Sequence, residues 1–114
     1  MQDSLFTKIL NKKINSEIIY EDDYVFAIND INPIAPIHVL IIPKEQIPTI
    51  NDLNENNSMI MGRIILAAQK IAQEKNIAEK GYRLILNCNE DGGQTIFHIH
   101  CHLLAGKKLN WVKN

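Results

Sequence analysis

The chain has 114 residues, enough for one domain around a single core and little beyond it. Hydrophobic residues make up 46%, charged residues 22%, and the formal net charge is −1, an ordinary soluble composition. No basic run or stripe is present, which argues against backbone-driven nucleic-acid binding but leaves room for a small nucleotide in a local pocket. No apolar run approaches the ~20 residues of a membrane span. The start, MQDSLFTKIL, lacks the basic and apolar regions of a secretory signal. Cys88 and Cys101 show no CxxC spacing, so a cytoplasmic protein with two reduced thiols is expected.

Along the chain, Ser4 is a fitting N-cap for a short helix over LFTKILNKK, with Leu5, Ile9 and Leu10 on one apolar side. EIIYED and YVFAIND are rich in β-branched and aromatic residues and predict two strands about a tight EDD turn. INPIAP, with two prolines, is a loop. HVLIIP is too apolar for a strand wet on one side and belongs in the middle of a sheet. KEQIPTINDL is a connection with room for a helical turn. A long helix follows over 56–75, its stripe made by Ile60, Ile64, Ala67, Ala68 and Ile71 with Met61, Ile65 and Ala72 beside it. Asn76 is placed to end it. GYRLILNCN is a strand, EDGGQ a turn and TIFHIHCHLLAG a final strand. The tail KKLNWVKN has no period. One α+β domain spanning 1–114 is expected, with a mostly antiparallel five-stranded sheet and its helices on one face.

The chain has four histidines, and His98, His100 and His102 occupy alternate positions of the last strand. Alternation puts them on one face about 7 Å apart, with Ile99 and Cys101 turned to the core. Three readings follow from the residues: a strand half exposed to water, a metal site, or nucleophilic catalysis by one imidazole whose neighbours fix its tautomer. EDGGQT just upstream brings two glycines beside the row, suited either to a hairpin turn with positive φ or to an anion cradle of backbone amides. No Asp, Glu or Cys follows with ligand-like spacing, so no metal and no cofactor is expected. Cys101 is read as core packing.

FHIHCHLL fits His-x-His-x-His followed by apolar residues, and this pattern resembles the histidine-triad (HIT) superfamily. IYEDDYVFAINDINPIAPIHVLIIPK, GYRLILNCNEDGGQT and FHIHCHLLAG are similar to its Hint branch, the histidine-triad nucleotide-binding proteins. The resemblance runs from residue 6 to residue 111. It implies a HIT-like fold, a homodimer joined through the long helix and the strand around YRLILN into one continuous sheet, and hydrolysis of purine nucleoside 5′-monophosphoramidates through a nucleotidyl-histidine intermediate. A dinucleoside polyphosphate hydrolase and a nucleotide-binding regulatory module are the alternatives.

Matched position by position, the resemblance gives His100 as the nucleophile, tied through its other ring nitrogen to a backbone carbonyl near His98. His102 contacts the phosphoryl oxygens and leaving-group side, and His38 and His98 support from behind. Asn87, Gly93 and Thr95 hold phosphate and leaving group. Asp30 accepts the ribose hydroxyls, and Phe6, Ile9, Ile14, Ile28 and Ile31 form the apolar slot for the base. Thr95 stands where several relatives have Ser, Ile28 where some have an aromatic, Asn32 for a common Ser and Ala105 for a common Gly. Trp111 is expected near the partner's site, where the C-terminus shapes leaving-group specificity.

Overall fold

The computed structural model describes residues 2–111. Helix α1 (Leu5–Leu10) opens at Ser4, whose Oγ accepts the Thr7 amide, which satisfies one of the donors a helix start leaves free. Strands β1 (Ile18–Glu21) and β2 (Val25–Asn29) follow. The turn between them is built by Asp22, whose Oδ1 accepts the amides of Tyr24 and Val25. Strand β3 (Ile37–Pro43) is nearly all buried. A 3-10 turn (Ile50–Asp52), closed by a capping box from Thr49 and Asp52, supplies the helical turn anticipated in the connection. Helix α2 (Met59–Glu74) starts three residues later than its apolar period suggests. It ends where Asn76 takes φ +58° and the Ile77 amide reaches back to the Ala72 carbonyl, a left-handed cap that asparagine tolerates. Strands β4 (Arg83–Leu86) and β5 (Cys101–Ala105) complete an all-antiparallel sheet of order β1-β2-β3-β5-β4.

Alternation along β2, β3 and β5 divides the apolar side chains between two faces. Val25, Ala27, Val39, Ile41, Cys101, Leu103 and Ala105 pack with Ile64, Ala67, Ala68, Ile71 and Ala72 of α2. Phe26, Ile28, Leu40 and Ile42 pack instead with Phe6 and Ile9 of α1. The two helices therefore cover opposite faces, not one. The reason is in the register: β2 and β3 are apolar on both sides, so each face needs its own cover, and six helical residues suffice for the smaller one.

Of the expected stripe, Ile65 is 42% exposed on the single chain, as are Met59 at 76% and Leu66 at 49%. Strand β4 is an edge of the sheet. Trp111 is 85% exposed, and residues 112–114 of the tail lie outside the described residues. Among the described residues no helix is long and apolar enough to cross a membrane.

Candidate active site

The histidine segment is not one continuous strand. Strand β5 begins at Cys101, which pairs with Ile41 of β3 and Leu86 of β4. Beyond it β3 ends in Pro43, which has no N–H to extend the ladder. The Pro43 carbonyl is taken by the His98 ring, and the Ile99 amide goes to Ile47 of the following loop. The chain bends, and His98 and His100 leave the pleat. His98 is fully buried and His100 is 9% exposed, so the expected open row of three rings is in fact a packed cluster. Ile99 and Cys101 do face the α2 core, and His102 lies on the α1 face opposite Leu40. The His100 and His102 ring centroids are 5.1 Å apart, those of His38 and His102 5.2 Å, and Phe6 packs edge-on to His98 and His100.

Each tautomer follows from its partners, since a carbonyl can only accept and an amide can only donate. His98 Nε2 lies 2.8 Å from the Pro43 carbonyl and so carries hydrogen, and its Nδ1 faces Ser4 Oγ at 2.5 Å. His100 Nδ1 donates to the His98 carbonyl at 2.8 Å, which leaves Nε2 with a free lone pair. His38 Nδ1 accepts the Ile34 amide at 3.2 Å, so its Nε2–H points at His102 Nδ1, 2.9 Å away. His102 must then present Nε2–H to whatever binds. The result is one bare ring nitrogen on His100 beside one N–H on His102.

Burial favours the neutral form of His98, His100 and His102. It pushes His98 and His100 below the ordinary imidazole value. His102 is lowered to about 4, by burial first and then by repulsion from His100 and His38.

Beside the cluster lies a cavity of about 460 Å³, within the usual range for a small-molecule site. Seven of the anticipated residues line it: Phe6, Ile9, Ile14, Ile28, Asp30, Ile31 and Thr95; His100, His102, Asn87 and Gly93 do not, the cluster meeting the cavity through Phe6 and Leu40. The cavity's apolar side chains come from α1, β2 and Leu40 of β3 with Ile14, Ile31 and Ile96 from loops, and its polar ones from Asn15, Ser16, Thr95 and the segment Asn29 to Asn32. Asp30 Oδ1 caps that loop by accepting the Asn32 amide at 2.8 Å, while Oδ2 sits 3.4 Å from His38 Nε2. The acid is thereby fixed between cavity and histidines.

The glycine turn differs from an open amide cradle. A Cβ on Gly92 would sit 2.5 Å from the Cys88 carbonyl oxygen, and Gly93 has φ +83°, so both glycines are required by the backbone. The Gly93 amide is already bonded to the Glu90 carbonyl, and Asn87 Nδ2 donates to the Gly92 carbonyl at 2.6 Å. Asn87 and Gly93 thus shape the turn as the structure stands. Gln94, 6% exposed, was not anticipated. Its side chain binds Pro48 and Ile96 carbonyls and the Asn89 amide, and so anchors the segment that carries Thr95. Ser4 and Pro43 were missed too. Ser4 read only as a helix cap and Pro43 only as a strand end; their ring partners come from tertiary packing.

Asp30, His38 and His102 bring three ligand-type atoms within 4.8 Å of one another. They do not fit a cation. A ligating His38 Nε2 would have to move its hydrogen to Nδ1, where it would meet the Ile34 N–H donor against donor.

The geometry so far is a packed histidine cluster next to a cavity of small-molecule size. A family model described as HIT domain matches residues 11–109. The purine nucleoside phosphoramidase of Escherichia coli (strain K12) is 50% identical over 108 residues, covering 95% of this chain and 91% of its own. A histidine triad protein from Clostridium difficile superimposes with a TM-score of 0.94 at 43% identity, covering 99% of this chain and 98% of its own. A HIT family hydrolase from Legionella pneumophila Philadelphia 1 gives 0.91 at 45%, covering 96% and 97%. The chain belongs to the HIT family.

Proposed function

We propose that this protein hydrolyses purine nucleoside 5′-monophosphoramidates, nucleotides joined to an amine through a P–N bond. The observation that carries the reading is the His100 tautomer. Its Nδ1–H is tied to the His98 carbonyl at 2.8 Å, which leaves a neutral Nε2 lone pair on a ring that packs against Phe6 of the cavity wall. A neutral ring approaches a phosphorus shielded by anionic oxygens without charge repulsion.

In the first step His100 Nε2 bonds to phosphorus and the P–N bond to the amine breaks. The departing nitrogen takes a proton, supplied by Thr95 at the cavity lip or by His102 Nε2–H. His102, with Asn87 after a shift of its side chain, stabilises charge on the phosphoryl oxygens, a contribution of several kcal/mol at comparable oxyanion sites. In the second step water bonds to phosphorus and returns a proton to the group that protonated the amine, the P–Nε2 bond breaks and the nucleoside monophosphate leaves. His38 and His98 hold the two working rings. Asp30 receives the ribose hydroxyls, and Phe6, Ile9, Ile14, Ile28 and Ile31 take the base. No step calls on a metal or a cofactor.

The phosphoramidase relative favours this reaction over cleavage of a dinucleoside polyphosphate. Brief mixing with an AMP–amine conjugate followed by mass spectrometry should find an AMP adduct on the peptide carrying His100. An adduct elsewhere, or turnover of a dinucleoside polyphosphate but not of the conjugate, defeats the proposal. Turnover too slow to measure beside tight AMP binding would instead favour a regulatory nucleotide-binding module. We assign the reaction to the cytoplasm. The exposed Met59, Ile65 and Leu66 on α2 and the open edge at β4 support a homodimer through those elements; a monomer by light scattering at micromolar concentration would remove that part.

A further inference from the structure

We infer that Ser4 is a positioning residue for the nucleophile: its hydroxyl pins the second nitrogen of the His98 ring and so helps keep His100 aimed. The kinetic consequence rests on the phosphoramidase reading; the hydrogen-bond assignment does not. A serine hydroxyl has one proton to give. Ser4 Oγ already accepts the Thr7 amide at 3.0 Å, and its proton has two candidate acceptors, Thr7 Oγ1 at 3.2 Å and His98 Nδ1 at 2.5 Å. Thr7 Oγ1 is satisfied without it, because it donates to Gln46 Oε1 at 2.7 Å. His98 Nδ1 has no other partner. Its ring is fully buried and its Nε2–H is committed to the Pro43 carbonyl, so a bare Nδ1 would be an unpaired buried acceptor. The proton therefore goes to His98.

Ser4 is itself held in place. Its amide donates to Gln46 Oε1 at 2.8 Å, and Gln46 Nε2 donates to the Gln2 carbonyl at 2.7 Å. Two bonds thus clamp the His98 ring at both nitrogens. Its backbone carbonyl is then fixed, and that carbonyl sets the His100 tautomer. Without the hydroxyl, Nδ1 becomes an unpaired buried acceptor, the ring keeps only its bond to the Pro43 carbonyl and can tilt, and the His98 carbonyl is less constrained. His100 can then carry hydrogen on Nε2, where it has no lone pair to attack with. Ser4 does not line the 460 Å³ cavity, so substrate binding should be spared.

Substitution separates this from simple helix capping. Ser4→Thr keeps hydroxyl and cap, Ser4→Ala loses both, and Ser4→Asp keeps the cap but offers His98 an acceptor where it needs a donor. With an AMP–amine conjugate, Ser4→Ala and Ser4→Asp should lower kcat about tenfold with KM within about twofold, and Ser4→Thr should match the parent. In ¹⁵N-histidine NMR of the full chain, His98 Nδ1 should give a hydrogen-bonded bare-nitrogen signal that Ser4→Ala removes and Ser4→Thr keeps. His100 should shift from one tautomer to a mixture in Ser4→Ala. Unchanged kcat in Ser4→Ala, or a parent protein with hydrogen on His98 Nδ1, overturns the inference. If the parent turns over no conjugate, the functional reading falls and the NMR arm decides alone: identical ring signals in parent and Ser4→Ala refute the role of Ser4.

Discussion

The two faces of the sheet are built from the same strands and serve opposite ends. On the α2 face, buried Val, Ile, Leu and Ala meet five buried residues of the helix, and the polar element is a single thiol. On the α1 face, a smaller apolar patch gives way to His38, His98, His100 and His102. The change happens between neighbours: Cys101 belongs to the first face, His100 and His102 to the second. The α2 face needs only shape and apolar area. The α1 face needs direction as well, because each buried ring must find a donor or acceptor of the right kind. Stability and chemistry are therefore separable by face, and substitutions can test the division.

The largest effect should come from the chemical face. His100→Ala should cut turnover of an AMP–amine conjugate by roughly a thousandfold or more, with AMP affinity by calorimetry little changed. Near-normal rates would mean that another group attacks. On the opposite face, Ile64→Ala removes a fully buried side chain from α2 and should cost about 2–4 kcal/mol in urea unfolding while KM holds. If it alters KM as much as stability, the faces are coupled and the division fails. A smaller change is expected at the cavity rim. Asp30→Asn should raise KM roughly tenfold and leave kcat within about threefold, as loss of a charged acceptor for hydroxyls predicts.

Acid should produce the mildest effect, and its sign is set by the rings. The folded state holds His98, His100 and His102 below their ordinary value, with His102 at about 4. The unfolded chain therefore binds protons first as pH falls. The stability these neutral rings contribute is fully present above pH of about 6.5 and drains away as pH drops toward about 4. Activity should follow the same limb, level from neutral to mildly acid pH and then falling. An apparent pKa at or above about 6.5 in kcat would contradict neutral, buried imidazoles.

Much of this was legible in the chain. Period and composition were enough for both helices, the five strands and the cap at Asn76, since each depends on local preference. The cavity residues followed from resemblance to a family whose motifs cover nearly the whole chain. What escaped depends on contacts distant in sequence. Strand β5 begins only at Cys101 because Pro43, 58 positions earlier, cannot extend the ladder, and nothing within FHIHCH reveals it. The α1 helix occupies the second face because β2 and β3 are apolar on both sides; HVLIIP showed that, but not which helix answers. Ser4 looked like an ordinary cap, and only the fold brings His98 to it.

Cys101 has a practical consequence. Burial among the α2 contacts pushes its thiol up to about 11 and leaves it no exposed surface, whereas Cys88 is half-buried. A thiol reagent at neutral pH should mark Cys88 first and reach Cys101 only in molecules whose α2 layer has lifted. The residue next to His100 is thus a built-in clock for opening events, readable by intact-mass labelling without any engineered reporter.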